Sequence, residues 1–312
     1  MTKFEVGLAQ LSPAWLDKQK TLSKVVDALI EEPNCQLMVF SEALVPGYPF
    51  WLEWTGGAQF NNPRQKRLFA RYAENAVCIE AGDLNQVSKA ARNTKTAVVL
   101  GIIERPVDRG AHSLYASLVT IDDSGTIVNV HRKLCPTYEE RLVWSPGDGY
   151  GLRCHQVGPF TMGALNCWEN WMPLPRAALY ALGEDLHVMV WPGSRRNTHD
   201  ITPFLAKEGR SFVVSVAAPF HRSLIPDEAD FAEMREQVPE WLTDGGSCIA
   251  APDGSWILEP QVHCEGVFTA ELDYRQVLEE RQNFDPAGHY SRPDVTQLVV
   301  DRTRQSTYRD RP

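Results

Sequence analysis

The chain is predicted to be an α/β protein built on mixed sheet. Three observations carry this. Phe4 to Gln10 alternates apolar residues, a helical apolar stripe follows, and Leu37 to Phe40 is a short, wholly apolar run. Strand, helix and strand at that spacing form a crossover unit, the building block of α/β folds. Further apolar runs recur at Ala97 to Ile103 and His187 to Trp191, as expected of strands covered on both faces. Finally, Asp122-Asp123-Ser124-Gly125 and Pro252-Asp253-Gly254-Ser255 each separate two apolar segments. Such turns make hairpins, so antiparallel strands accompany the parallel ones.

In order, Leu22, Val25, Val26, Leu29 and Ile30 form the buried face of the first helix, which ends at Pro33-Asn34. Pro63 to Asn75 and Leu84 to Asn93 are predicted helices. Leu114 to Ile121 and Thr126 to Val130 form the first hairpin. Phe160 to Asn166 is a buried strand, and Pro173 then opens a helix over Leu174 to Leu182 with Gly183 as its stop. His187 to Trp191 is a strand, Ile201 to Arg210 a helix and Ser211 to Ala217 a strand. Residues 219–240 are charged and carry prolines at 219, 226 and 239, which predicts an exposed excursion. Gly246 to Ala251 and Trp256 to Leu258 make the second hairpin; Val267 to Leu272, Tyr274 to Gln282 and Gln297 to Val300 complete the reading as strand, helix and strand. Residues 1–300 are taken as one domain and 301–312 as a polar tail.

Composition narrows the function. The 312 residues are 43% hydrophobic and 23% charged, which are globular proportions. A net charge of -9 argues against a nucleic-acid surface. No stretch of about 18 apolar residues would span a membrane, and Met1 to Val6 lacks the apolar core of a signal peptide. Seven cysteines, odd in number, scattered and without a C-x-x-C pair, fit reduced thiols in the cytoplasm.

Three chemical groups each follow an apolar run: Glu42, Lys133 and Cys167. In α/β proteins active groups gather at the carboxyl ends of strands. Cys167 falls at a strand-to-helix corner, where the positive helix start favours thiolate; the plainer reading is an inert buried cysteine. Glu42 is costly beside a buried strand end unless paired or functional, although a solvated loop glutamate is the common case. Lys133 is either a surface lysine or, turned inward, a fixed positive charge that Glu140 could orient. Thiol, carboxylate and ammonium together suffice for attack on a carbon–nitrogen multiple bond. A Cys–His pairing with His131, His155 or His187 is the competing arrangement. His263-Cys264-Glu265 has no second ligand pair at metal spacing, so no metal or cofactor is expected. The loop Ala43 to Trp54, rich in proline and aromatics, is read both as a packed lid and as a pocket wall beside Glu42.

In four places the chain resembles the nitrilase branch of the carbon-nitrogen hydrolase superfamily. Phe40-Ser41-Glu42 before Pro46-Gly47-Tyr48-Pro49 is similar to its glutamate motif. His131-Arg132-Lys133-Leu134 through Pro136-Thr137 and Glu140-Arg141 is similar to its lysine motif. Leu165-Asn166-Cys167-Trp168-Glu169-Asn170 resembles its cysteine motif, and Gly288 to Asp294 its C-terminal one. Ser41 stands where relatives commonly carry proline.

The resemblance implies a four-layer α-β-β-α sandwich with mixed sheets. It implies homo-oligomers: dimers, and spirals or filaments built from them. It also implies hydrolysis of a small-molecule nitrile to carboxylic acid and ammonia through a thioimidate on Cys167. Glu42 is then the base, Lys133 the stabiliser of developing charge and Glu140 its orienting partner, with the Trp168 N–H assisting. Tyr48, Trp51, Trp54, Trp168 and Trp171 are the expected substrate wall, favouring aromatic or arylaliphatic nitriles. An amidase or a cyanide-degrading enzyme using the same three residues is the alternative; a catalytically silent assembly protein is a third.

Overall fold

The computed structural model describes residues 4–308. Two mixed sheets form the frame. In the first, β1 (Phe4–Gln10), β2 (Leu37–Phe40) and β3 (Ala97–Glu104) run parallel, and β4 (Tyr115–Ile121) and β5 (Ile127–Arg132) extend it as an antiparallel hairpin. In the second, β6 (His155–Val157) pairs antiparallel with β7 (Phe160–Asn166), which lies parallel to β8 (Leu186–Trp191) and β9 (Phe212–Ala217). There β10 (Pro219–His221), β11 (Trp241–Ala250) and β12 (Trp256–Val262) complete the far side. The chain then returns to the first sheet, where β13 (Gly266–Leu272) closes its edge against β1.

Side-chain alternation builds the layers. Leu37 and Val39 of β2 face an inter-sheet core with Phe160, Val188, Val190 and Val214 from the second sheet. Met38 and Phe40 point the other way, against Leu22, Val25 and Leu29 of the helix Lys18–Glu31 and Val87 and Ala91 of the helix Asn85–Thr94. Met189 and Trp191 of β8 likewise meet Ile201 and Leu205 of the helix Ile201–Gly209. Helix, sheet, sheet and helix are thus stacked in four layers, and the inner strands β2, β3, β8 and β9 are buried along their whole length because both their faces are covered.

Most predicted elements are present, with ends moved by a residue or two except in the second hairpin, where Trp241–Ala250 and Trp256–Val262 run well beyond the expected Gly246 to Ala251 and Trp256 to Leu258. Four differ in kind. Ile30, expected on the buried helix face, is 59% exposed, because the stripe facing β2 stops at Leu29. Gln297 to Val300 forms no strand and pairs with none of the described strands. Strand β6 was not legible as one, being only three residues long. The segment 219–240 is no exposed excursion along its whole length. Phe220, Ile225, Phe231, Met234 and Val238 are buried with Trp15, Trp51 and Tyr72, and its charges sit on the outer side, as in the Arg67–Asp230 and Arg71–Glu228 pairs. Of the tail, residues 309–312 lie outside the described residues; Arg304 reaches Asp148 and the Val130 carbonyl.

Candidate active site

Glu42 directly follows β2, Lys133 follows β5 and Cys167 follows β7. The two sheets meet at this end: the Glu42 N–H donates to the Trp191 carbonyl at the end of β8 (3.3 Å). The turn after β2 crosses over Gly101, where an added Cβ would lie 2.1 Å from the Ser41 carbonyl oxygen. A side chain at that position would push Glu42 out of place.

The three groups converge, with Glu140 as a fourth. Lys133 Nζ donates to Glu42 Oε1 (2.8 Å) and to Glu140 Oε2 (2.7 Å). One carboxylate oxygen each of Glu42 and Glu140 and the sulfur of Cys167 all lie within 4.8 Å of one another. These three could formally chelate a cation, but the Lys133 ammonium already bridges the two carboxylates. Glu140 Oε2 also accepts from Thr137 N (2.6 Å), and its Oε1 from the Tyr48 hydroxyl (3.0 Å). Thr137-x-x-Glu140 is a capping box, so one glutamate both closes its own turn and anchors the lysine.

Electrostatics follow from enclosure. Burial pushes the Glu42 carboxyl up, against the opposing pull of Lys133, to about 7. Burial likewise raises the Cys167 thiol well above its ordinary value; Glu42 raises it further, and Lys133 and the Trp168 N–H oppose. Desolvation disfavours the Lys133 ammonium, but the charges of Cys167, Glu42 and Glu140 outweigh it and raise its pKa well above the usual lysine value. The expected thiolate at a helix start is therefore corrected. Cys167–Trp171 is a single tight turn, and the helix proper, Pro173–Tyr180, begins six positions after Cys167. Cys167 is held as a thiol, beside a carboxyl poised to take its proton.

Cys167 has φ 50°, the left-handed region, in which a side chain costs about 1–3 kcal/mol. Its turn is held from two sides. Glu169, three after Asn166, closes a second capping box by accepting from Asn166 N (2.9 Å). The same carboxylate accepts from Leu134 N (2.6 Å) and meets His131 Nε2 (3.0 Å), so it ties the cysteine turn to the lysine loop. Despite burial, these partners lower its pKa, His131 foremost. Both capping boxes were readable as Asn-x-x-Glu and Thr-x-x-Glu spacings, but nothing local told that the glutamates would also bind across the site.

The competing Cys–His arrangement is not formed. His131 pairs with Glu169, His187 lies between Glu184 and Asn170, and no ring nitrogen of these or of His155 bonds the Cys167 sulfur.

The expected substrate wall divides. Tyr48 stands at the site through its bond to Glu140. Trp51 is fully buried, edge-on against Tyr72 in the core cluster that Trp54 packs upon. Trp168 and Trp171 are 52% and 43% exposed. The space touching Glu42 is only about 10 Å³ and is bounded by Tyr48, Phe50, Pro192 and Phe220. Phe220 was missed because it lies in the segment taken as exposed. A larger cavity of about 730 Å³ opens outside, between Leu52, Glu53, Tyr138, Glu139, Leu142 and Arg196.

Residues 5–282 match the carbon-nitrogen hydrolase family. An aliphatic nitrilase of Rhodococcus rhodochrous is 34% identical over 323 residues, covering 98% of this chain and 81% of the relative. A cyanide hydratase of Neurospora crassa is 30% identical over 334 residues, covering 98% and 90%. A solved carbon-nitrogen hydrolase of Helicobacter pylori superposes with a TM-score of 0.68 at 18% identity, covering 94% of this chain and 96% of that one. The chain belongs to the carbon-nitrogen hydrolase family.

Proposed function

We propose that this chain is a nitrilase that converts a nitrile and two waters to a carboxylic acid and ammonia. The observation that carries the reading is the buried Lys133 bridge between Glu42 and Glu140, with the Cys167 sulfur alongside. Glu42 takes the Cys167 proton as sulfur attacks the nitrile carbon, and the proton passes to nitrogen, leaving a thioimidate. Glu42 then activates water, and Lys133 stabilises charge on the tetrahedral intermediate as ammonia departs. A second water releases the acid from the thioester. Glu140 keeps Lys133 aimed. Relatives named aliphatic nitrilase support the reaction class.

An aromatic or arylaliphatic substrate is the first reading, supported by Tyr48 at the site and by the exposed faces of Trp168 and Trp171. A short aliphatic nitrile is the second reading, supported by the relatives named aliphatic nitrilase and by the burial of Trp51 in the core. A single cytoplasmic catalytic domain that assembles through dimers completes the proposal.

Ammonia release is measured from phenylacetonitrile, benzonitrile, a short aliphatic nitrile, cyanide and phenylacetamide, with Cys167→Ala alongside. Release from a nitrile that the variant abolishes supports the reading. Release from the amide alone moves the chain to an amidase, and product from cyanide alone to a cyanide-degrading enzyme. The faster of the aromatic and aliphatic nitriles decides the substrate class.

A further inference from the structure

His187 does not reach the Cys167 sulfur, but it reaches the Cys167 backbone through one intermediary. Asn170 Nδ2 donates to the Cys167 carbonyl (2.8 Å) and to the Leu165 carbonyl (3.3 Å). Two carbonyl partners fix which end of the amide is nitrogen. Asn170 Oδ1 can therefore only accept, and its partner at 2.8 Å is His187 Nε2, which must carry a hydrogen. His187 Nδ1 in turn faces Glu184 Oε1 at 2.8 Å, so one proton is shared between imidazole and carboxyl. Asn170, His187 and Glu184 are 0%, 2% and 0% exposed. Glu184 Oε2 has no hydrogen-bond partner, which leaves His187 as the contact that the buried carboxyl makes.

The carbonyl that Asn170 grips belongs to the planar peptide between Cys167 and Trp168. The Trp168 N–H of that peptide is one of the groups that oppose the rise in the Cys167 thiol pKa. A rigid plane held at its oxygen is held at its hydrogen too. We propose that Asn170, His187 and Glu184 are positioning residues for the nucleophile: the line Glu184–His187–Asn170 fixes the Cys167–Trp168 peptide so that its N–H stabilises negative charge at the reacting sulfur. This rests on Cys167 being the nucleophile. It explains why a left-handed cysteine keeps its conformation. Arg176, which donates to the Asn170 carbonyl (2.8 Å) and pairs with Glu208, holds the end of the same turn.

The test uses alkylation of Cys167 by iodoacetamide, in which sulfur displaces iodide, followed by mass spectrometry across pH. It needs no substrate, so it stands apart from the nitrilase reading. Glu42, Lys133 and Glu140, whose charges act on the Cys167 thiol, are intact in every variant. Asn170→Ala is expected to move the alkylation midpoint up by about one pH unit. It should lower kcat about ten- to a hundredfold, with KM within about twofold. His187→Gln, whose amide can still donate to Asn170, should stay close to wild type, and His187→Leu should follow Asn170→Ala. If Asn170→Ala does not fold, the His187 pair decides alone. An unchanged alkylation profile in Asn170→Ala, or equal damage in His187→Gln and His187→Leu, overturns the proposal. A shifted profile in a protein inactive on all nitriles keeps the positioning line and removes the nitrilase reading.

Discussion

Lys133 Nζ lies 2.8 Å from Glu42 Oε1 although the two residues are 91 positions apart and come from the ends of different strands. Both side chains are fully buried. A charged pair taken out of water is costly to desolvate and persists only where every partner is in place. Replacing Lys133 with Met leaves Glu42 and Glu140 buried without their cation. We expect about 3–5 kcal/mol of lost stability at pH 8 and loss of nearly all turnover. Urea denaturation and a nitrile assay check both; wild-type stability would contradict the pairing.

Cys167→Ala removes the proposed nucleophile but little volume. Turnover should fall by several orders of magnitude, while the melting temperature stays within a few degrees, because strain at φ 50° is no worse for Ala. Residual turnover near wild type would remove Cys167 from the chemistry.

The pH dependence follows from Glu42. Its folded value of about 7 lies above the ordinary 4.5, so the carboxyl stays protonated to higher pH and the base form fills as pH rises through about 7. The acid limb of kcat/KM should therefore have its midpoint near 7. The stability effect has the same origin. Glu42 adds no cost below 4.5, and the fold loses stability as pH rises through about 7, where the buried carboxylate ionises. A rate that is flat from pH 5 to 8 would contradict the assignment of Glu42 as base.

Glu169 joins the lysine loop to the cysteine turn. Glu169→Ala orphans His131, Leu134 N and Asn166 N at once. We expect a loss of about 3 kcal/mol together with a fall in kcat, read by thermal unfolding and steady-state kinetics. A variant with normal kcat and a lowered melting temperature would limit Glu169 to stability.

The aromatic residues should separate by measurement. Trp51→Ala opens a core cavity and should cost about 3–5 kcal/mol. Trp171→Ala, half exposed, should change stability by less than about 1 kcal/mol and, if Trp171 lines the mouth, raise KM for bulky nitriles. Equal stability losses in the two variants would contradict their different burial.

The strands and helices were legible because burial on two faces writes continuous apolar runs into β2, β3 and β8, and hairpin turns announce themselves by Asp and Gly. Glu42, Lys133 and Cys167 were legible because each follows such a run. Their convergence is a different matter. Phe220 reads as part of a charged, proline-broken segment, yet it bounds the space beside Glu42. Glu169 was read only as part of the stretch around Cys167, yet it binds His131, 38 positions away. The Cys167 environment was read locally as a helix start favouring thiolate, whereas burial by distant elements holds a thiol.

What the sequence determined by itself is therefore local: periodicity, turn chemistry and which polar residues directly follow apolar runs, each set by neighbours within a few residues. Tertiary structure alone decided which groups share a proton or a charge, which aromatics became core rather than wall, and how much room is left beside Glu42. Those outcomes depend on desolvation and on distances between separate strand ends, and both arise only when two sheets close on one another.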